Sequence, residues 1–133
     1  MKQYFFIIFL IFSIGIFAQN AECEKIHEAE NLTKEAVFSG SNSQFMKLMM
    51  DSVFCDLKTT EYGMMPTRFN AKVTIDSKGK IIESLILTEE IETKYKEQIN
   101  ENLLKLDNWL PAEIDGHKVC SYYYIVVSFI LWN

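Results

Sequence analysis

The stretch Trp109-Leu110-Pro111-Ala112-Glu113-Ile114-Asp115-Gly116 and the apolar run behind it, Val119 to Trp132, constrain this chain more than any other part. Pro111 lacks an amide proton and clashes with a preceding helical turn, so the helical pattern upstream must stop at Trp109. Asp115-Gly116 supplies a turn, because glycine accepts positive φ without steric cost. Trp109, Pro111 and Gly116 thus form a structural corner. Beyond it, a run dense in β-branched and aromatic residues reads as one long strand.

The other elements follow from periodicity. Arg68 to Ile75 alternates, with Phe69, Ala71, Val73 and Ile75 on one face and Arg68, Asn70, Lys72 and Thr74 on the other, as a half-buried strand does. Asp76-Ser77-Lys78-Gly79 is a tight turn, and Ile81 to Leu87 returns as the partner strand. From Glu92 to Leu106 the residues Tyr95, Ile99, Leu103 and Leu106 form a helical stripe. Upstream, Ser43 or Asn42 can cap a helix whose apolar face is Phe45, Leu48, Met49, Val53 and Phe54. Glu22 to Phe38 carries Ile26, Ala29, Leu32, Ala36 and Val37 at helical spacing, which predicts a further amphipathic helix. Lys58 to Thr67, broken by Gly63 and Pro66, is irregular.

The start of the chain has the layout of a secretory leader: Met1-Lys2, an apolar run from Tyr4 to Phe17, and small residues up to a cut after Ala18. That run is shorter than the ~20 residues of a spanning helix. The organisation expected is a signal peptide over 1–18, a helical lead over 19–38 and one domain over 39–133. Thirteen basic residues stand against eighteen acidic ones, a net charge of −5, which speaks against nucleic acid. Export brings Cys23, Cys55 and Cys120 into a compartment where disulfides persist. Cys55 with Cys120 is the favoured pair, since both lie beside predicted core elements; three separate thiols remain the alternative.

Catalytic chemistry finds little support. Ser121, His117 and Asp115 are close in sequence, but along one turn and one strand no third element orients the histidine. Glu89, Glu90 and Glu92 lack the glycine-bearing loop of a calcium site and the apolar pocket that would raise a carboxyl pKa. No phosphate-cradling loop occurs, and no ligand pair has chelating spacing. The reading is a non-enzymatic protein with no catalytic residue, no metal and no cofactor.

Three pieces, in order, resemble one family, the C-terminal domain of TonB and the TonB-like proteins common in Bacteroidota. Phe38-Ser39-Gly40 with the Phe45–Phe54 helix is similar to its entry. Phe69-Asn-Ala-Lys-Val-Thr-Ile-Asp76-Ser-Lys-Gly79-Lys-Ile81 is similar to its hairpin. Leu106-Asp-Asn-Trp109-Leu-Pro111-Ala-Glu-Ile-Asp-Gly116-His-Lys-Val119 is similar to its helix exit. The leader's end, Phe-Ala-Gln, also resembles those of that phylum. The resemblance implies an α+β fold with a three-stranded antiparallel sheet (hairpin, helix, strand), helices on one face and here an extra N-terminal helix. It also implies a periplasmic protein-binding module whose last strand accepts an extended segment of a partner, such as a TonB-dependent outer-membrane transporter or its own copy. Tyr122, Tyr123, Tyr124, Ile125 and Val126 would flank that segment, with no nucleic acid and no small-molecule cofactor. The alternative is a structural or envelope-associated accessory protein, or a homodimer, with no transporter partner.

Overall fold

The computed structural model describes residues 23–55 and 68–128. The expected leader, the irregular segment before the hairpin and the end of the last apolar run fall outside them. The fold is mixed α+β, two helices laid on one face of a multi-stranded sheet.

The alternating segment forms strand β3, Arg68–Ile75, antiparallel to β4, Ile81–Ile86. (β1 and β2, Ile26–His27 and Val37–Phe38, precede them in the chain.) The turn between them is built around Asp76, whose Oδ1 accepts from the amides of Lys78 and Lys80, both at 2.9 Å. Gly79 closes it at φ 82°. Helix α2, Thr93–Leu104, then crosses over and buries Ile99 and Leu103. The last strand, β7, His117–Ser128, lies antiparallel to β3 from Ser121 to Ser128. β3 therefore sits between β4 and β7, as a hairpin followed by a crossover helix requires.

Helix α1, Asn42–Leu48, continues into a π-helical turn, Met49–Val53. Its cap is Ser41, one residue before the pair expected, in a reciprocal box with Gln44. Gln44 can reach back to the Ser41 amide, so Ser41 leaves two backbone donors satisfied at once. Met49, Val53 and Phe54 pack with Ile99 and Leu103 above Phe69, Ala71, Val73, Ile75, Ile125 and Val127. The two helical layers are joined by Asn102, which donates from Nδ2 to the Val53 carbonyl at 3.2 Å and accepts from Gln98. Asn102→Ala orphans that buried carbonyl and should cost about 1–3 kcal/mol in urea unfolding; a loss below a few tenths would mean water replaces the amide.

Three expectations are corrected. The lead is not a helix: it runs as β1, a single 3₁₀ turn at Ala29–Asn31, and β2. Its backbone groups find partners on the sheet instead. β1 pairs parallel with Cys120 and Ser121, the Thr33 and Lys34 amides donate to the Glu113 carbonyl, and β2 pairs with β5, Trp109–Leu110. Of the expected apolar face, Ala36 is buried and Leu32 packs against the core, but Ala29 is exposed and Val37 is 45 % exposed, so the five residues do not share one buried face. Second, Cys120 bonds to Cys23, with Cα atoms 5.9 Å apart, while Cys55 is free and exposed. The polar lead is what lies beside Cys120, and that decides the pair. Third, among the described residues the sheet has five strands, because β1 and a short strand β6, Ala112–Ile114, are added to the three expected. β6 and β7 form a hairpin through Asp115 and Gly116, at φ 50° and 82°, so the last strand begins two residues before Val119.

Candidate strand-accepting edge

Which side of β7 is open follows from the ladder. The Leu87 amide donates to the Asn70 carbonyl, and the Asn70 amide donates to Thr88 Oγ1, so Asn70 turns both backbone groups toward β4. Alternation along a strand then turns those of Phe69, Ala71, Val73 and Ile75 toward β7. Their register partners are Val127, Ile125, Tyr123 and Ser121. The backbone groups of Tyr122, Tyr124, Val126 and Ser128 must therefore point the other way. On that side β1 occupies the positions beside Cys120 and Ser121. Because Ser121 turns its groups to β3, the parallel bridge at His27 is made through the Cys120 carbonyl and the Tyr122 amide; from the Tyr122 carbonyl to Ser128 no described strand pairs with β7.

Among the described residues the open side of β7 is confined to this second part. The first part is held by β6 and by the lead, which is bonded at Cys120 and reaches Lys72 through Glu28, Oε1 to Nζ at 4.0 Å. The clamp fixes one end of the open edge.

Side chains divide by parity. Ile125 is 1 % exposed and Tyr123 stacks edge-on against Trp109 at 4.9 Å, so these two of the five expected contact residues belong to the interior. Burial, and then the nearby Glu35 carboxylate, raise the Tyr123 pKa above its usual 10.0, which keeps the phenol neutral. Tyr122, Tyr124 and Val126 lie on the opposite face, where Tyr124 is 51 % and Val126 49 % exposed. Lys72, the cross-strand neighbour of Tyr124, sits 3.8 Å over the Tyr122 ring. Lys72 and the far neighbour Leu85, 58 % exposed, were not singled out from sequence. The alternation of β3 carried that information, but only a register puts Lys72 beside a tyrosine.

The corner residues act structurally. Trp109 packs with Phe38, Phe45 and Tyr123, and its carbonyl lies where a side chain on Gly79 would begin. Ser121 is fully buried while His117 is exposed, so the serine cannot meet a substrate. Glu89, Glu90 and Glu92 are exposed. A groove of about 310 Å³ between the Phe38–Gly40 turn and α1 is lined by Gln44, Leu48 and Asn108 as well, with no charged side chain. Among the described residues no helix is long and apolar enough to cross a membrane, and no three His, Cys, Asp or Glu side chains converge on one point. No family model, curated protein or solved structure matches the chain.

Proposed function

We propose that this is an exported, non-enzymatic binding module of the periplasm, similar to the C-terminal domain of TonB, which takes up an extended protein segment beside its last strand. The observation that supports the reading is that, among the described residues, no strand pairs with the outer side of β7 from the Tyr122 carbonyl to Ser128. Free amides and carbonyls on a sheet edge give an incoming strand its affinity, and the alternating side chains beside it give selectivity. Here those side chains are Tyr122, Tyr124 and Val126. A segment of an outer-membrane transporter is the partner that the resemblance suggests.

The test uses two proline variants. The Tyr124 amide points to the open side, so Tyr124→Pro removes a donor from the edge and leaves the ladder to β3 whole. The Tyr123 amide points to β3, so Tyr123→Pro breaks the sheet. Tyr124→Pro should fold, with cooperative unfolding retained, and should lose transporters that the native protein recovers from an outer-membrane extract. Tyr123→Pro should lose the fold itself. Equal recovery by folded Tyr124→Pro and native protein would rule out strand addition at this edge.

A further inference from the structure

We infer that the Cys23–Cys120 bond is a redox latch: its reduction releases residues 23–31 from β7, leaves the rest of the lead in place, and uncovers the Cys120 carbonyl and the Tyr122 amide. The release does not depend on what the edge receives; its consequence, a longer accepting edge, rests on the strand-accepting reading.

The lead divides into two parts that are held in different ways. The second part is fixed by its backbone. The Thr33 and Lys34 amides donate to the Glu113 carbonyl at 2.9 and 3.0 Å, and the Glu113 amide donates back to the Lys34 carbonyl at 2.9 Å. The Asp115 amide donates to Thr33 Oγ1 at 2.9 Å. Ala36 is buried, Leu32 packs against the core, and β2 pairs with β5. None of these contacts involves a cysteine.

The first part differs. From Cys23 to Asn31 no residue is buried, so the hydrophobic gain there is small. Its described contacts include two register pairs, the half-exposed Glu28–Lys72 ion pair and the disulfide. A short ladder at a sheet edge opens easily, because each hydrogen bond is exchanged for one to water and contributes about 1 kcal/mol net. The covalent tie therefore decides whether this part stays.

Its place in the sheet gives the release a consequence. Alternation turns the backbone groups of Cys120, like those of Tyr122, away from β3. β1 lies against them, and the bridge at His27 uses the Cys120 carbonyl and the Tyr122 amide. Departure of β1 frees both and extends the outer edge toward the corner. It also takes Glu28 from Lys72, whose Nζ stays over the Tyr122 and Tyr124 rings at 3.8 and 5.7 Å.

The chemistry is exchange with a dithiol, either a small one or one carried on an oxidoreductase. Cys120 is all but buried and Cys23 is more open, so the dithiol's thiolate attacks the Cys23 sulfur. A mixed disulfide forms at Cys23, and Cys120 leaves as a thiolate that takes up a proton. The second thiol of the dithiol then displaces the Cys23 sulfur, which is protonated in turn. Two electrons and two protons pass to the protein, and the dithiol departs as a disulfide.

Amide hydrogen exchange tests the latch in Cys55→Ser, which removes the one exposed thiol outside the bond. Maleimide should label no thiol before treatment with dithiothreitol and two after it. Reduction should speed exchange of the His27 and Tyr122 amides at least about tenfold, to near the rate of an unstructured chain. In the same reduced protein the Lys34, Glu113, Tyr123 and Ile125 amides should stay at least about tenfold slower than those two. Adding Cys23→Ser should reproduce this pattern without reductant. Should Cys55→Ser not fold, native protein with Cys55 blocked by N-ethylmaleimide takes its place. Unchanged protection of His27 and Tyr122 after full reduction overturns the inference. So does exchange of Lys34 and Glu113 together with them, since the lead would then leave whole, and so does a bond that dithiothreitol opens only on global unfolding. Tyr124→Pro tests the accepting edge in the oxidised protein, with the latch closed, so either reading can fail without the other.

Discussion

Cys23→Ser should lower the unfolding free energy by about 3–5 kcal/mol, the largest loss expected from a change outside the hydrophobic core. The bridge joins residues 97 apart in sequence, so it removes most of the freedom of the unfolded chain, and loop-closure entropy for ~100 residues gives about 4.7 kcal/mol. The native side adds a second contribution. Without the bond, the described contacts at β1 include two register pairs with β7 and a half-exposed ion pair beside it, Glu28 to Lys72 at 4.0 Å. A solvent-screened pair of this kind contributes at most about 1 kcal/mol. Cys23 is the better site for the test, because Cys120 is only 9 % exposed and a serine hydroxyl there would add a desolvation cost of its own. Urea unfolding of the native protein with and without dithiol reductant should reproduce the loss, with a steeper denaturant dependence for the reduced chain, whose unfolded state is more open. A change below about 1 kcal/mol would mean that the lead is secured without the bond and that its hydrogen bonds at Thr33, Lys34 and Glu113 do the holding.

The same element shows where the sequence stopped being readable. Patterns whose cause is local were legible. Phe69, Ala71, Val73 and Ile75 alternate because one side of β3 faces helices, and β3 spans the residues that the alternation marked. Ile99 and Leu103 are buried on one face of α2 for the same reason. Asp76 to Gly79 turns because its own side chain and a single glycine make it turn. What could not be read depends on contacts far apart in the chain. The lead has helical spacing, yet Ile26 and His27 found a strand to join and Thr33 found the amide of Asp115, 82 positions away. A weak local preference loses to a tertiary ladder. The cysteine pairing turns on the same contact: core elements flank Cys55 and Cys120 in the sequence, but the β1–β7 ladder sets the polar lead, and with it Cys23, against Cys120. At the candidate edge, the apolar and aromatic character of Tyr122 to Val126 was visible, but not the division between Tyr124 and Val126 outside and Tyr123 and Ile125 inside, nor the lead that shortens the edge. Both follow from the register of β3 and β1 against β7, which no residue of β7 encodes alone.

Gly79→Ala should cost about 3 kcal/mol, whereas Gly116→Ala, at the same φ, should cost about 1 kcal/mol. Both glycines sit at φ 82°, where an L residue meets its own carbonyl and loses roughly 1–2 kcal/mol. Their surroundings differ. A Cβ built on Gly116 meets nothing within 4 Å, whereas one on Gly79 runs into the backbone carbonyl of Trp109 and comes 3.5 Å from Pro111 Cδ. A flexible side chain could step aside, but the Trp109 carbonyl belongs to β5 and carries the indole that packs on Phe38, Phe45 and Tyr123. Shifting it strains that cluster, and forced overpacking of this kind adds about 1–3 kcal/mol. The hairpin turn and the tryptophan corner are thus a single packed joint, with the missing side chain of Gly79 as its clearance. Thermal melts of the two variants side by side decide the matter, since the φ cost is common to both and cancels in the comparison. Equal losses would show that the turn can slide off the corner, and the position of β3 relative to β6 would then need another cause.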